Sequence, residues 1–252
     1  MSTDTELLRW QLFDLMLENH ESPVELPDHS QCVTLSSSLR GKLCEQLSQL
    51  PSRRLEAGER IYLMGNPARS LFLLQSGLVK TSVISPEGEE LTLKIYGAGE
   101  IVGELCLCGG GRREEATALE PSTVTELPLT ALLGRLKQDP EAALELASIM
   151  CERLADAYER VENLSWETVL ERLARALLKL ATDFGDGSAE DTHIRHYIKQ
   201  DELAKIVGAR REVVSGLLNR LRDSGHISYS PRGYISVNRG ALQEFLEARS
   251  SA

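Results

Sequence analysis

No apolar run in this 252-residue sequence approaches the roughly 20 residues that a membrane-spanning helix needs. The first residues lack a basic segment followed by an apolar stretch and a small-residue cleavage site, so the expected location is the cytoplasm. Cysteine is sparse. Cys32, Cys44, Cys106, Cys108 and Cys151 make an odd number, which argues against a disulfide framework and for reduced thiols. Catalytic signatures are missing too. There is no metal-binding His pair, nucleophile elbow or phosphate-binding loop, and the five His are scattered, so no enzyme is expected. Nor is there an excess of positive charge. The formal net charge is -10, which taken alone opposes binding to phosphates.

The distribution of charge reverses that argument. Between Ile194 and Gly240 stand nine Lys or Arg against four Asp or Glu, a local balance of +5 that leaves -15 on the rest. A basic reading domain on an acidic body has this pattern, and double-stranded DNA is the partner it suits.

Hydrophobic periodicity divides the chain into regions. Asp4–Leu17 and Ser36–Leu50 read as amphipathic helices. From Arg53 to Leu129, short β-prone runs alternate with turn residues. The runs are Arg60–Met64, Ser70–Leu74, Leu78–Ile84, Leu91–Tyr96 and Thr123–Leu127. Regular turns between short strands predict an antiparallel roll or barrel. Asp139–Glu162 reads as a long helix. Leu144, Ala147, Cys151, Leu154, Tyr158 and Val161 fall alternately three and four apart on it, a seam suited to pairing with a second copy. Trp166–Thr182 reads as a further helix and Asp183–Ser188 as a linker. The fold class is α+β. An extension over 1–35 precedes a β-roll (jelly roll) domain over 36–138, a helix suited to dimerisation over 139–165 and a domain suited to DNA binding over 166–252.

The last region carries the most specific pattern. Two helices are expected, around Gln200–Val207 and Arg211–Ser224, followed by a hairpin with strands near His226–Tyr229 and Tyr234–Val237. Ala204 is small enough for the helices to cross closely, and Gly208 supplies the tight turn. Leu203, Ile206, Val207, Val214, Leu217, Leu218 and Leu221 fill the core between them. This is a winged helix-turn-helix. The second helix offers Arg210, Arg211, Glu212 and Ser215 to the major groove, where Arg donates two bonds to guanine and Glu accepts from cytosine. Lys199, Gln200, Arg220 and the wing residue Arg232 are the accompanying candidate contacts.

From about Ser36 onward the chain resembles the family of the cyclic-AMP receptor protein and the fumarate-nitrate regulator. The residues that carry the resemblance are Leu71-Phe-Leu-Leu-Gln-Ser-Gly-Leu-Val-Lys80, Gly97-Ala-Gly-Glu-Ile-Val-Gly-Glu-Leu105 and Ile206-Val-Gly-Ala-Arg-Arg-Glu-Val-Val214. It implies a transcription regulator that binds an inverted repeat as a homodimer, with RNA polymerase as a further partner and no membrane. The family's recognition helix reads Arg-Glu-x-Val-x-Arg. Arg211, Glu212 and Val214 match, but Gly216 replaces the last Arg, so the half-site is expected to differ at one base pair.

In cyclic-nucleotide members a Gly-Glu-Leu segment and a following Arg hold the ribose and the phosphate. The resemblance places Gly103, Glu104 and Leu105 there, with Arg112 as the Arg and Arg113, Arg153 and Tyr158 nearby. Arg113 replaces the usual hydroxyl after the Arg, and Ala157 replaces one of the two hydroxyl residues that would meet adenine. Cyclic AMP is therefore disfavoured. A different small acidic or nucleotide effector stays open, as do a structural salt bridge between Glu104 and Arg112 and no effector at all. Two other functions compete with this reading, a cyclic-nucleotide-binding module of a signalling enzyme and a redox or metal sensor. The helix-turn-helix opposes the first. The isolated Cys32 and Cys44 and the one-residue gap of Cys106-x-Cys108 oppose the second, and no metal ligand is assigned.

Overall fold

A computed structural model of the chain describes residues 50–186, 191–230 and 233–250. The helix expected at Asp4–Leu17, the helix expected at Ser36–Leu50 except for Leu50, which is an exposed bend, and Cys32, Cys44 and Arg232 lie outside the described residues.

Among the described residues, the first domain has eight strands: β1 (Ser52–Leu55), β2 (Arg60–Tyr62), β3 (Ser70–Ser76), β4 (Val79–Ile84), β5 (Glu90–Tyr96), β6 (Ile101–Val102), β7 (Glu115–Ala118) and β8 (Ser122–Pro128). They pair antiparallel in two sheets, ordered β1-β8-β3-β6 and β2-β7-β4-β5. All five expected runs are strands. Strands β1, β6 and β7 were not foreseen. They are short, and Glu115-Ala-Thr-Ala118 has little intrinsic β preference; pairing with β2 and β4 makes it a strand. The unbroken apolar run in β3 has a simple cause, since both its faces are covered. Phe72 and Leu74 face the core between the sheets with Val79, Tyr96 and Val124, whereas Leu71 and Leu73 pack with Ile101, Cys106 and Leu132.

Leu132 belongs to α1 (Leu129–Leu136), a helix the periodicity did not reveal. Next comes α2 (Pro140–Trp166), capped by Asp139, whose carboxylate accepts from Ala142 N at 3.1 Å. It runs past the expected end at Glu162. Trp166, expected to open the next helix, closes this one. Helix α3 (Val169–Phe184) starts at a capping box in which Thr168 accepts from Glu171 N, and the Glu171 carboxylate accepts from Thr168 N. Asp183 and Phe184, expected in a linker, are the last residues of α3, and Phe184 is buried.

The second domain contains β9 (Asp191–His193), α4 (Gln200–Val207), α5 (Arg211–Asp223), β10 (Ile227–Tyr229), β11 (Ile235–Asn238) and α6 (Arg239–Ser250). Its sheet has the order β10-β11-β9. Strand β9 and helix α6 were not foreseen. Leu173, Leu177, Leu203, Val207, Val214, Leu218 and Leu221 are buried in its core, Ile206 and Leu217 of the expected set pack against it only half-buried, and Leu78 and Ile95 of the roll join the same cluster.

The two domains therefore share buried surface, and α4 lies on the outer side of the β4–β5 pair. Polar groups direct this contact. Arg160 on α2 donates to Leu93 O at 2.7 Å and to Ile206 O at 2.9 Å. Arg172 on α3 donates to Val207 O at 3.0 Å. Both guanidinium groups thus satisfy carbonyls left open at the C-terminal end of α4, where the helix dipole also favours a cation. Lys80 on β4 is buried, with Nζ 2.7 Å from Glu90 and 2.6 Å from Glu202. Lys205 lies 3.0 Å from Glu90, 3.1 Å from Glu202 and 2.9 Å from Asp201.

Burial pushes the Glu90 carboxyl upward, but the hydrogen-bonded ammonium groups of Lys80 and Lys205 outweigh it and hold the group down to about 2, against an ordinary 4.5. A depressed carboxylate contributes stability that is complete above its unfolded value and lost as pH falls through its folded value. Glu90→Gln is therefore expected to lower stability at neutral pH. The deficit should shrink as pH falls from about 4.5 towards 2. Urea unfolding midpoints of both proteins across this range check it.

Candidate nucleic-acid interface and sensory region

Helix α4 ends at Gly208, whose φ of 64° is left-handed and whose N–H donates to Ala204 O. A residue with a Cβ is strained in that conformation, so glycine permits the sharp turn into α5. The buried side of α5 is Val214, Leu218 and Leu221. Arg210 stands at its N-cap in extended conformation, and Arg210, Arg211, Glu212 and Arg220 are exposed, with Ser215 half-buried. Lys199, at the N-cap of α4, is exposed and Gln200 half-buried. The exposed side of α5 includes two residues that sequence reasoning passed over, Val213 and Asn219. A Cβ at Gly216 would meet nothing, so the missing Arg leaves an open position in the middle of this surface. The first turn of α5 also presents free backbone N–H groups, which suit phosphate oxygens.

The wing is a tight hairpin. Ser230 N donates to Tyr234 O and Gly233 N to Ser230 O, both at 2.9 Å, and Tyr234 N donates to Ser230 Oγ at 3.1 Å.

In the roll, a 3₁₀ turn over Glu104–Cys108 follows Gly103, whose φ is 87°. The Arg112 side chain is buried and directed inward. It donates to Gly103 O at 3.0 Å and Ser70 O at 2.5 Å, and stacks 4.0 Å from the centre of the Tyr62 ring. Glu104 is ion-paired with Arg153 of α2, which also donates to Tyr96 Oη at 3.1 Å and Ile101 O at 2.6 Å. The salt bridge considered between Glu104 and Arg112 is thus replaced by one between Glu104 and Arg153. The reason is geometric: α2 crosses the turn and brings a guanidinium to the carboxylate, while two backbone carbonyls accept from the terminal nitrogens of Arg112 and the Tyr62 ring stacks on it. Glu104 Oε2 and Arg112 Nε are buried and make no hydrogen bond.

Glu114 is buried as well, and Tyr62 Oη donates to it at 3.0 Å. Burial, reinforced by Glu114, pushes the Tyr62 phenol up, and burial likewise raises Glu114. Arg113 and Leu105 are exposed. Cys106 is a buried thiol that burial pushes up, which keeps it protonated at neutral pH, and Cys108 and Cys151 are exposed.

Helix α2 turns two sides to its surroundings. Arg153 and Arg160 grip the roll and α4, and Ile149 is buried. The seam residues Leu144, Ala147, Cys151, Leu154, Tyr158 and Val161 are all exposed along the other side. Leu144, Leu154, Tyr158 and Val161 keep more than half of their surface open, at 68%, 51%, 64% and 62%. Tyr158 stands on this seam, whereas Arg153 is the α2 residue that reaches Glu104.

Two family models match the sequence, "Cyclic nucleotide-binding domain" over residues 52–139 and "Crp-like helix-turn-helix domain" over residues 171–245. The chain is 33% identical over 199 residues to the Cyclic AMP receptor protein of Thermus thermophilus, covering 79% of this chain and 88% of that protein. It is 27% identical over 202 residues to the Fumarate and nitrate reduction regulatory protein of Vibrio cholerae, covering 79% of this chain and 81% of that protein. A solved structure of a CRP/FNR-family transcriptional regulator from Thermus thermophilus matches with a TM-score of 0.63 at 29% identity, covering 78% of this chain and 98% of that one.

The turn at Gly103 can be tested directly. A Cβ there would lie 2.6 Å from Arg112 Nη1 and 3.3 Å from the Tyr62 ring, in a left-handed conformation. Gly103→Ala is expected to destabilise the roll by about 1–3 kcal/mol, as strain and displacement of the stacked guanidinium combine. Thermal unfolding checks the loss.

Proposed function

As a member of the family of the cyclic-AMP receptor protein and the fumarate-nitrate regulator, this chain is a transcription regulator with a helix-turn-helix DNA-binding domain, and we propose that it reads an inverted-repeat site as a homodimer. The observation that carries the reading is the pairing of two open surfaces on one chain. The first turn of α5 presents Arg211 and Glu212 unobstructed, and α2 leaves its apolar seam uncovered. A seam of this kind pairs with its own copy around a twofold axis, which places two recognition helices about one turn of DNA apart.

Arg210, Ser215 and Arg220 complete the reader, and Lys199, Gln200 and Arg232 meet the backbone. The half-site departs from the family pattern at the base pair that Gly216 leaves unread. The reading extends to a small acidic or nucleotide effector in the roll. The unpaired Glu104 Oε2 and Arg112 Nε support it, as buried polar atoms that a ligand can satisfy. Cyclic AMP is disfavoured because Ala157 has no hydroxyl and Arg112 already spends two donors on Gly103 and Ser70. The regulator acts in the cytoplasm with RNA polymerase and carries no catalytic role.

Two substitutions that each remove one positive charge test the DNA assignment. Arg211→Ala is expected to cost about 1–3 kcal/mol and to relax preference at one guanine. Arg232→Ala is expected to weaken all sequences alike and to flatten the salt dependence. Binding-site selection from random DNA separates them, and an Arg211→Ala protein that selects the wild-type sequence would show that α5 is not the reader.

The dimer has its own test. Leu154→Glu sets a charge on the seam and is expected to shift the protein towards monomer at micromolar concentration, as read by sedimentation.

A further inference from the structure

Four charged side chains join the two domains in a closed ring of alternating sign. Lys80 of β4 meets one oxygen of Glu90, and the other oxygen of Glu90 meets Lys205. Lys205 meets one oxygen of Glu202, and the other oxygen of Glu202 returns to Lys80. Two members come from the roll and two from α4. Each carboxylate bridges two ammonium groups, with every separation between 2.6 and 3.1 Å.

Stability alone does not account for this arrangement. A buried ion pair often contributes no more than apolar side chains of the same volume, because desolvation offsets the attraction. What a closed ring supplies is registry. The apolar contact of Leu78 and Ile95 with the second domain tolerates sliding, whereas four fixed charge contacts do not. The docked placement also leaves the reader open. Arg210, Arg211, Glu212, Val213, Gly216, Asn219 and Arg220 stay exposed on α5 while α4 is held against β5.

We propose that Lys80 is a positioning residue for DNA reading: through the ring it fixes α4, and with it α5, on the roll in a DNA-competent orientation, and so sets the half-site spacing that the dimer accepts. The inference rests on the homodimeric reading above. Rigid placement matters there because the second half-site binds intramolecularly, and its gain is lost when the geometry is loose.

The test uses the full-length chain and the inverted repeat that wild type selects. Fluorescence anisotropy compares that repeat, versions with the spacer one or two base pairs longer or shorter, and a duplex with a single half-site. Wild type is expected to show a sharp spacing optimum. Lys80→Met is expected to lose about tenfold in affinity at the optimum, to tolerate other spacings, and to keep its half-site affinity and base preference. A change in the reading surface itself would alter the half-site affinity instead. Glu202→Gln is close to isosteric, breaks the ring from the α4 side and should behave alike, which keeps the proposal testable if Lys80→Met unfolds. A spacing optimum that survives both substitutions, or tighter binding after either, would overturn the positioning role alone. Selection of no inverted repeat by wild type would overturn the homodimeric reading and this inference with it.

Discussion

The joint between the roll and the helix-turn-helix depends on burying charge. An ammonium group taken out of water costs several kcal/mol unless carboxylates meet it in good geometry. Lys80 is buried on β4, and one of its two carboxylates, Glu202, belongs to the other domain. The charge can be buried because α4 lies on β5, and α4 is held on β5 partly by that charge. Arg160 and Arg172 extend the same logic to the end of α4, where they meet open carbonyls that an undocked helix would leave to water. Apolar burial supplies most of the driving force between the domains, and these polar contacts select one orientation from the many that burial alone would accept.

Helix α2 connects this joint to the turn at Glu104 in the roll. Arg153 and Arg160 stand seven residues apart, two turns of one helix, and so lie on the same side. The first holds Glu104 and Ile101 O near the 3₁₀ turn, and the second holds β5 and α4. The opposite side carries the uncovered apolar seam. One helix thus touches the turn at Glu104 and the helix-turn-helix domain, and leaves its apolar seam open. In the roll the charged groups are largely satisfied from within. Arg112 stacks on Tyr62 and bonds to two carbonyls, and Glu114 accepts from Tyr62. Gly103 is required because the guanidinium occupies the space in which a side chain would stand.

Much of this was legible in the chain. The helix-turn-helix was readable because its core positions recur with helical period and Gly208 marks the turn. Helix α4 has the expected bounds, and the long runs in β3, β4 and β5 declared themselves through composition. The short strands β1, β6, β7 and β9 did not, since two to four residues hold too little pattern to separate from a loop. Trp166 was read one helix too late because an apolar residue between two helices fits either, and the capping box at Thr168 and Glu171 marks the true boundary. The ring was missed for another reason. Lys80 is a lone cation in an apolar strand, and its partners lie ten and more than a hundred residues away.

The sequence alone decided the order of β-roll, long helix and winged helix-turn-helix and the apolar seam along α2. All of these are local, written in the period of apolar residues and in the chemistry of a single segment. Only the tertiary structure decided which charge meets which. It gave Glu104 to Arg153 rather than to Arg112, turned Arg112 inward, and closed Lys80, Glu90, Glu202 and Lys205 into one ring. Such pairings depend on distances between segments remote in the chain. A favourable separation of about 3 Å is produced by folding and leaves no periodic trace in the residues that make it.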